Sequence, residues 1–358
     1  MKVYRQNPPR LESPNMTTNL IIESIGRPIE KDFSKTSVAH ARNAVILSDI
    51  IGADIITGDR DIAITVGKSY DNIICSYASP YMKYKKLIQV VRDNPQAKLW
   101  WLVNDHDLED NILLRNVLKE TSGNRKINMI CNNARECYRG WILRKKMYDT
   151  NGDYMGVLDD FIVEWHTLNL NALIFSYVLP LDIAKKRLKC VYYGTMRKWR
   201  LDDLLQYQHA GLALSTTTKT QKKFIEKGVD QCRMTGKLSW ERGKETLEKY
   251  RCSLYVEDEH THDHYAHMAN RFYEGLMCNT ITLFDKKCIK TIEKSNFDID
   301  PKYIIDGVYD LKDTVKYFQD DKHFMQAMGD NHKHMMIAKK EHNILKTQLW
   351  NLLGRGKL

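Results

Sequence analysis

A chain of 358 residues with 43% hydrophobic and 28% charged residues is longer than most single domains and rich enough in apolar side chains for two cores, so two domains of roughly 150 to 200 residues are expected. No apolar run approaches the ~18 residues of a membrane span, and MKVYRQNPPRLESPN at the start has no signal-peptide core, which together point to a cytoplasmic protein with no membrane partner. The formal net charge of +10 suits a polyanionic partner, and eight cysteines without CxxC spacing, several inside apolar runs, fit reduced core thiols better than a metal or disulfide framework.

After an extended arm (1–17), TNLIIESIG (18–26) is a predicted strand. A helix follows from about Ser37 to Ile51, with Ala41, Ala44, Val45, Leu47 and Ile51 on its buried face and Gly52 as its stop. ADIIT, NIICSY (72–77), KLWWLV (98–103), INMIC (127–131) and NALIFSY (171–177) are further predicted strands, with helical patterns between most of them. Continuous apolar strands alternating with amphipathic helices predict a parallel sheet covered on both faces, an α/β domain over 18–178. LPLDIAKKRL (179–188), with a proline at its second position and a basic end, is the expected linker.

The alternation then restarts. KCVYYG (189–194), LALST (212–216), QCRMTG (231–236), CSLYV (252–256) and TITLF (280–284) predict strands, with helices near 200–209, 217–227, 240–250 and 262–278. They make a second Rossmann-like domain over 189–330. A final helix is expected over 331–358, with Ile337, Ile344, Leu345, Leu349 and Leu352 on one face.

Chemistry concentrates at a few places. In the second domain Gly194 permits a tight strand-to-helix turn into TMRKWR, where Arg197, Lys198 and Arg200 crowd a helix start. Cations there oppose the helix dipole, so an anion such as a diphosphate accounts for them better than local stability, a solvated basic turn being the plainer alternative. Arg271 and Glu274, one turn apart on the helix after CSLYV, are either a surface ion pair or a ligand site at the carboxyl edge of the sheet, where an acid can take both hydroxyls of a ribose. His260, His262 and His264 in the intervening EDEHTHDH loop could face phosphates or a sugar, and no metal is assigned to them. In the first domain KLWWLV runs into NDHDLED, placing Asp105 and Asp107 beyond a strand's carboxyl end. A carboxylate there can take the proton of an attacking hydroxyl, whereas Asp107, Glu109 and Asp110 suit the first turn of a helix.

The pattern R-x-x-E followed by a strand ending in D, in RFYEG and CNTITLFD, resembles the donor helix of GT-B glycosyltransferases, and the YYGTMRKWR turn makes it similar, more narrowly, to the bacteriophage DNA β-glucosyltransferases. The resemblance implies two Rossmann-like domains about a cleft, with the last helix crossing back to the first domain. It implies that Gly194, Arg197, Arg200, Arg271 and Glu274 bind the donor, a UDP-sugar with UDP-glucose foremost, and that Asp105, matching the family's aspartate after an aromatic strand, is the catalytic base of an inverting transfer. Arg200 stands one residue closer to Arg197 than the family spacing. The implied acceptor is 5-hydroxymethylcytosine, or another hydroxymethylated base, in double-stranded DNA, flipped into the cleft by a monomeric enzyme. Basic clusters at Lys83, Lys85 and Lys86, at Arg125 and Lys126, and at Arg139, Arg144, Lys145 and Lys146 are the candidates for DNA contact, and a divalent metal such as Mg2+ is compatible with the sequence but not required by it. A GT-B transferase with a small or envelope acceptor, and a non-catalytic DNA-binding protein, are the alternatives.

Overall fold

The structure, a computed structural model, describes residues 18–23, 39–57, 62–77, 85–103, 126–132, 162–176, 178–194, 198–238, 246–257 and 267–354. The first domain is a six-stranded sheet of β1 (Asn19–Glu23), β2 (Asp54–Thr57), β3 (Asn72–Tyr77), β4 (Lys98–Val103), β5 (Lys126–Cys131) and β6 (Ile162–Thr167). All neighbours are parallel, in the order β2-β1-β3-β4-β5-β6. Leu20, Ile21, Ile22, Ile73 and Ile74 are fully buried, as expected of strands covered on both faces. Helices α1 (Ala39–Ile51) and α2 (Lys85–Asp93) belong to its crossovers, and Gly52 ends α1 in the left-handed conformation (φ 67°).

The second sheet is built from β7 (Leu188–Tyr193), β8 (Ala213–Ser215), β9 (Arg233–Thr235), β10 (Tyr250–Tyr255), β11 (Ile281–Asp285) and β12 (Ile304–Ile305), again all parallel, in the order β12-β11-β10-β7-β8-β9. Its helices are α3 (Lys198–Tyr207), α4 (Thr218–Glu226), α5 (Asn270–Met277), α6 (Ile289–Lys294) and α7 (Val308–Tyr317). The chain leaves β7 toward β8 on one side and leaves β10 toward β11 on the other. The β7/β10 boundary is therefore the switch point, where an open parallel sheet forms a crevice at its carboxyl ends.

Helix α8 (Asp321–Leu349) begins ten residues before the expected Asn331, because Asp320 caps it by accepting from the Lys322 and His323 amides. Phe324, Ala327, Met328, Asn331, His334, Ala338, Leu345 and Leu349 form its buried stripe, whereas Ile344, expected on that face, is exposed. A final π turn, Trp350–Gly354, reaches the first domain, where Asn72 donates to the Leu353 carbonyl at 3.2 Å. Two Rossmann-like domains with a terminal helix crossing back form the GT-B plan.

Three other expectations are corrected. NALIFSY is not a strand: Leu170–Ile174 is a buried 3-10 turn packed against α1, α5 and α8, and the sixth strand is the more polar IVEWHT just before it. An apolar run buried on every side carries no periodicity to tell turn from strand. The helix placed near 240–250 gives way to a 3-10 turn, Leu247–Lys249, and to β10 from Tyr250 onward, with 239–245 outside the described residues. In the linker, Lys186 is buried and its ammonium donates to the Tyr250 and Cys278 carbonyls and Thr280 Oγ1 at 3.0, 2.7 and 3.0 Å, and Leu188 already belongs to β7. The seven described cysteines are buried.

Candidate functional site

Helix α5 starts at Asn270, not at 262. His267, Met268 and Ala269 are non-helical, and the Ala269 amide donates to the Tyr255 hydroxyl at 2.8 Å, pinning the helix start to the end of β10. At its far end Asn279 takes the left-handed conformation (φ 51°) and donates to the Leu179 carbonyl. Glycine follows Glu274 because a Cβ on Gly275 would lie 2.9 Å from Thr282 Oγ1 on β11. The short helix is thus held tightly against the sheet at the switch point.

Arg271 and Glu274 are not a surface pair. Arg271 donates through Nη1 to the Val256 carbonyl (2.7 Å), the same nitrogen forms an ion pair with Glu257 Oε1 (2.9 Å), and its guanidinium lies 5.9 Å from the ring centres of both Tyr192 and Tyr255. Burial works against its charge, yet Glu257 and the surrounding tyrosines outweigh that and hold its pKa above the ordinary arginine value. Glu274 is buried and accepts from the Tyr193 hydroxyl at 2.8 Å. Arg200, in the first turn of α3, is also buried, with Nη2 3.9 Å from Glu257 Oε2. Its Nη1 would come within 2.9 Å of a Cβ on Gly194, so the absent side chain is what lets the guanidinium lie over the end of β7.

Gly194, Arg200, Arg271 and Glu274 are therefore brought together at one sheet edge. Three residues of the cluster escaped the sequence reading. Glu257 looked like part of an acidic loop but is the first residue but one beyond β10, between two guanidiniums. Tyr192 and Tyr193 looked like core residues of KCVYYG, and only their place at the carboxyl end of the domain's first strand could have singled them out.

The remaining candidates divide. Arg197, Asp105, His260, His262, His264, Lys83, Arg125, Arg139, Arg144, Lys145 and Lys146 lie outside the described residues, and Lys85 and Lys86 open α2. Lys126 is described: it begins β5, at the amino edge of the first sheet and away from the crevice edge, and pairs with Glu164. Among the described residues no three His, Cys, Asp or Glu side chains converge as a metal site, and no helix is long and apolar enough to cross a membrane.

The domains meet at carboxyl edges. Asn132, just past β5, receives His267 Nε2 on its carbonyl at 2.9 Å, and Asn171 donates to the Met268 carbonyl at 3.0 Å. Next to Glu274 on α5, Tyr273 donates to Glu341 of α8 at 2.6 Å and accepts from Asn169 at 3.0 Å. One helix thus carries the buried acid held by Tyr193 and is bonded through the adjacent Tyr273 to the first domain.

No family model matches the chain, nor does any curated protein sequence. Among solved structures the chain is similar to an alpha-glucosyltransferase (AGT) in complex with UDP, with a TM-score of 0.49 and 10% identity over 93% of this chain and 95% of that one. It is also similar to AviGT4, a glycosyltransferase involved in avilamycin A biosynthesis, with a TM-score of 0.39 and 8% identity over 89% of this chain and 98% of that one.

Proposed function

We propose that the protein is a glycosyltransferase that moves a sugar, glucose foremost, from a UDP-sugar to the hydroxymethyl oxygen of a modified base in DNA. The observation that carries the donor half is that Arg200 lies over Gly194 and shares Glu257 with Arg271, while Glu274, on the same helix as Arg271, is held by Tyr193 next to that glycine, all at the switch point of the second sheet. Two guanidiniums suit a diphosphate, which they can grip through paired N–H groups, and a buried carboxylate suits the two hydroxyls of a ribose. The acceptor half rests on the resemblance in sequence, on the net charge of +10, and on the edge-to-edge meeting of the two domains.

In this reading Asp105, which follows β4, takes the acceptor proton as the hydroxymethyl oxygen forms its bond to the anomeric carbon and the bond to UDP breaks on the opposite side. UDP leaves with the bonding electron pair, its charge met by Arg200 and Arg271. A single displacement inverts the anomeric centre, so an α-linked donor gives a β-linked product. The test is incubation of hydroxymethylcytosine DNA with a panel of UDP-sugars, read by nucleoside mass spectrometry. Transfer to the base supports the proposal; donor turnover on small alcohols with none on DNA replaces it with a small-acceptor transferase. Asp105→Asn is expected to slow single-turnover transfer by about 10²- to 10⁴-fold with donor affinity retained.

A further inference from the structure

The hydroxyl of Tyr192 is fully buried and has no hydrogen-bond partner among the described residues. Buried hydroxyls are nearly always bonded, because an unmet one keeps the full cost of its lost hydration. Phenylalanine would fill the same space without that cost, so packing alone does not account for tyrosine here. Its position is informative. Tyr192 is the last residue but one of β7, and a Cβ built on Gly194 would lie 3.2 Å from its hydroxyl and 2.9 Å from Arg200 Nη1. The hydroxyl and the Arg200 guanidinium therefore converge over the same glycine, with the Arg271 guanidinium 5.9 Å from the tyrosine ring. Burial raises the Tyr192 pKa, so the group stays a neutral O–H donor.

We infer that Tyr192 is a further donor-binding residue: its O–H donates to a phosphate oxygen of the diphosphate seated over Gly194, beside Arg200 and Arg271. This rests on the nucleotide-sugar reading above. It assigns a role to the unbonded hydroxyl and adds a reason for glycine at 194, where a side chain would crowd both donors.

The test is Tyr192→Phe in the full chain, which removes one oxygen. Binding of UDP and of inorganic pyrophosphate is measured by calorimetry, binding of uridine by ligand-observed NMR, and stability by thermal unfolding without ligand. The variant is expected to bind UDP and pyrophosphate roughly ten- to a hundredfold more weakly, as for a lost hydrogen bond to a charged group, and uridine unchanged. Its melting temperature is expected to match or exceed that of the parent protein, since a buried unmet donor is gone. Unchanged affinity for UDP and pyrophosphate overturns the inference, as does a lower melting temperature with all three ligands weakened together, which marks a structural role. If the parent protein binds pyrophosphate but UDP no better, the nucleotide reading fails while a weakened pyrophosphate affinity in Tyr192→Phe upholds the phosphate contact. If the parent binds neither, both fail.

Discussion

Tyr193, the last residue of β7, donates a 2.8 Å hydrogen bond to the Glu274 carboxylate in the middle of α5, so the strand end sets the direction of the acid assigned to the ribose. Burial, then the charge of Glu274, pushes the tyrosine pKa well above its ordinary value and keeps it a donor.

Removing this bond should be felt mainly in donor binding. A hydrogen bond to a charged group contributes about 1.5 to 3 kcal/mol, so Tyr193→Phe is expected to weaken UDP binding at least tenfold. Glu274→Ala should weaken it further while leaving DNA affinity nearly unchanged, because the two ligands are assigned to different domains. Calorimetry with UDP and fluorescence anisotropy with labelled duplex give the two constants. Equal loss of both in Glu274→Ala would contradict the division.

Glu257 is the counter-ion of two buried arginines, and its removal leaves both without it. Breaking a buried ion pair from one side costs about 3 to 5 kcal/mol, so Glu257→Ala should lower the urea midpoint strongly, and Glu257→Gln less, since an amide of the same size keeps a polar oxygen beside Arg271. A loss under about 1 kcal/mol in the alanine variant, the range of solvent-exposed pairs, would mean that water reaches the guanidiniums.

Most of the architecture was legible in the sequence because parallel strands buried on both faces make unbroken apolar runs. KLWWLV and NIICSY became β4 and β3 at their expected bounds. NALIFSY misled for the same reason: burial from every side gives a turn the composition of a strand. Arg271, Glu274 and Arg200 could be picked out because charge in a helix start or at a sheet edge conflicts with local stability. Glu257 could not, since its role depends on two guanidiniums that come from positions 200 and 271 and meet only in the fold. Lys186 was hidden likewise: a lysine in a basic linker gives no sign that three oxygens from two distant segments await its ammonium.

The position of Lys126 yields a prediction about DNA. It sits at the amino edge of the first sheet and is paired with Glu164, so it is poorly placed to neutralise phosphates of a duplex held at the carboxyl edges. DNA affinity should fall steeply as salt rises, the mark of counterion release, and Lys126→Ala should leave that slope unchanged. A drop of about one in the slope would place Lys126 on the DNA.

Two histidines make the domain contact sensitive to acid. His267 Nε2 lies 2.9 Å from the Asn132 carbonyl, and His342 Nδ1 lies 3.1 Å from the Ala172 carbonyl, so each joins the second domain or α8 to the first. Burial lowers both pKa values below 6.5; Asn132 and Glu341 oppose this at His267, while Lys346 adds to it at His342, whose backbone bonds oppose it. With the folded pKa depressed, the unfolded chain binds more protons in the window below pH 6.5, so stability is fully present above that pH and falls as pH drops toward the folded values. The limiting slope is about 1.4 kcal/mol per pH unit for each histidine. Thermal unfolding between about pH 7.5 and 5.5, above the range where ordinary carboxylates titrate, is expected to show a falling melting temperature. The slope should be shallower in His267→Asn and His342→Gln, and shallower still in the double variant. A double variant whose melting temperature falls as steeply as that of the parent protein would assign the acid sensitivity to other groups.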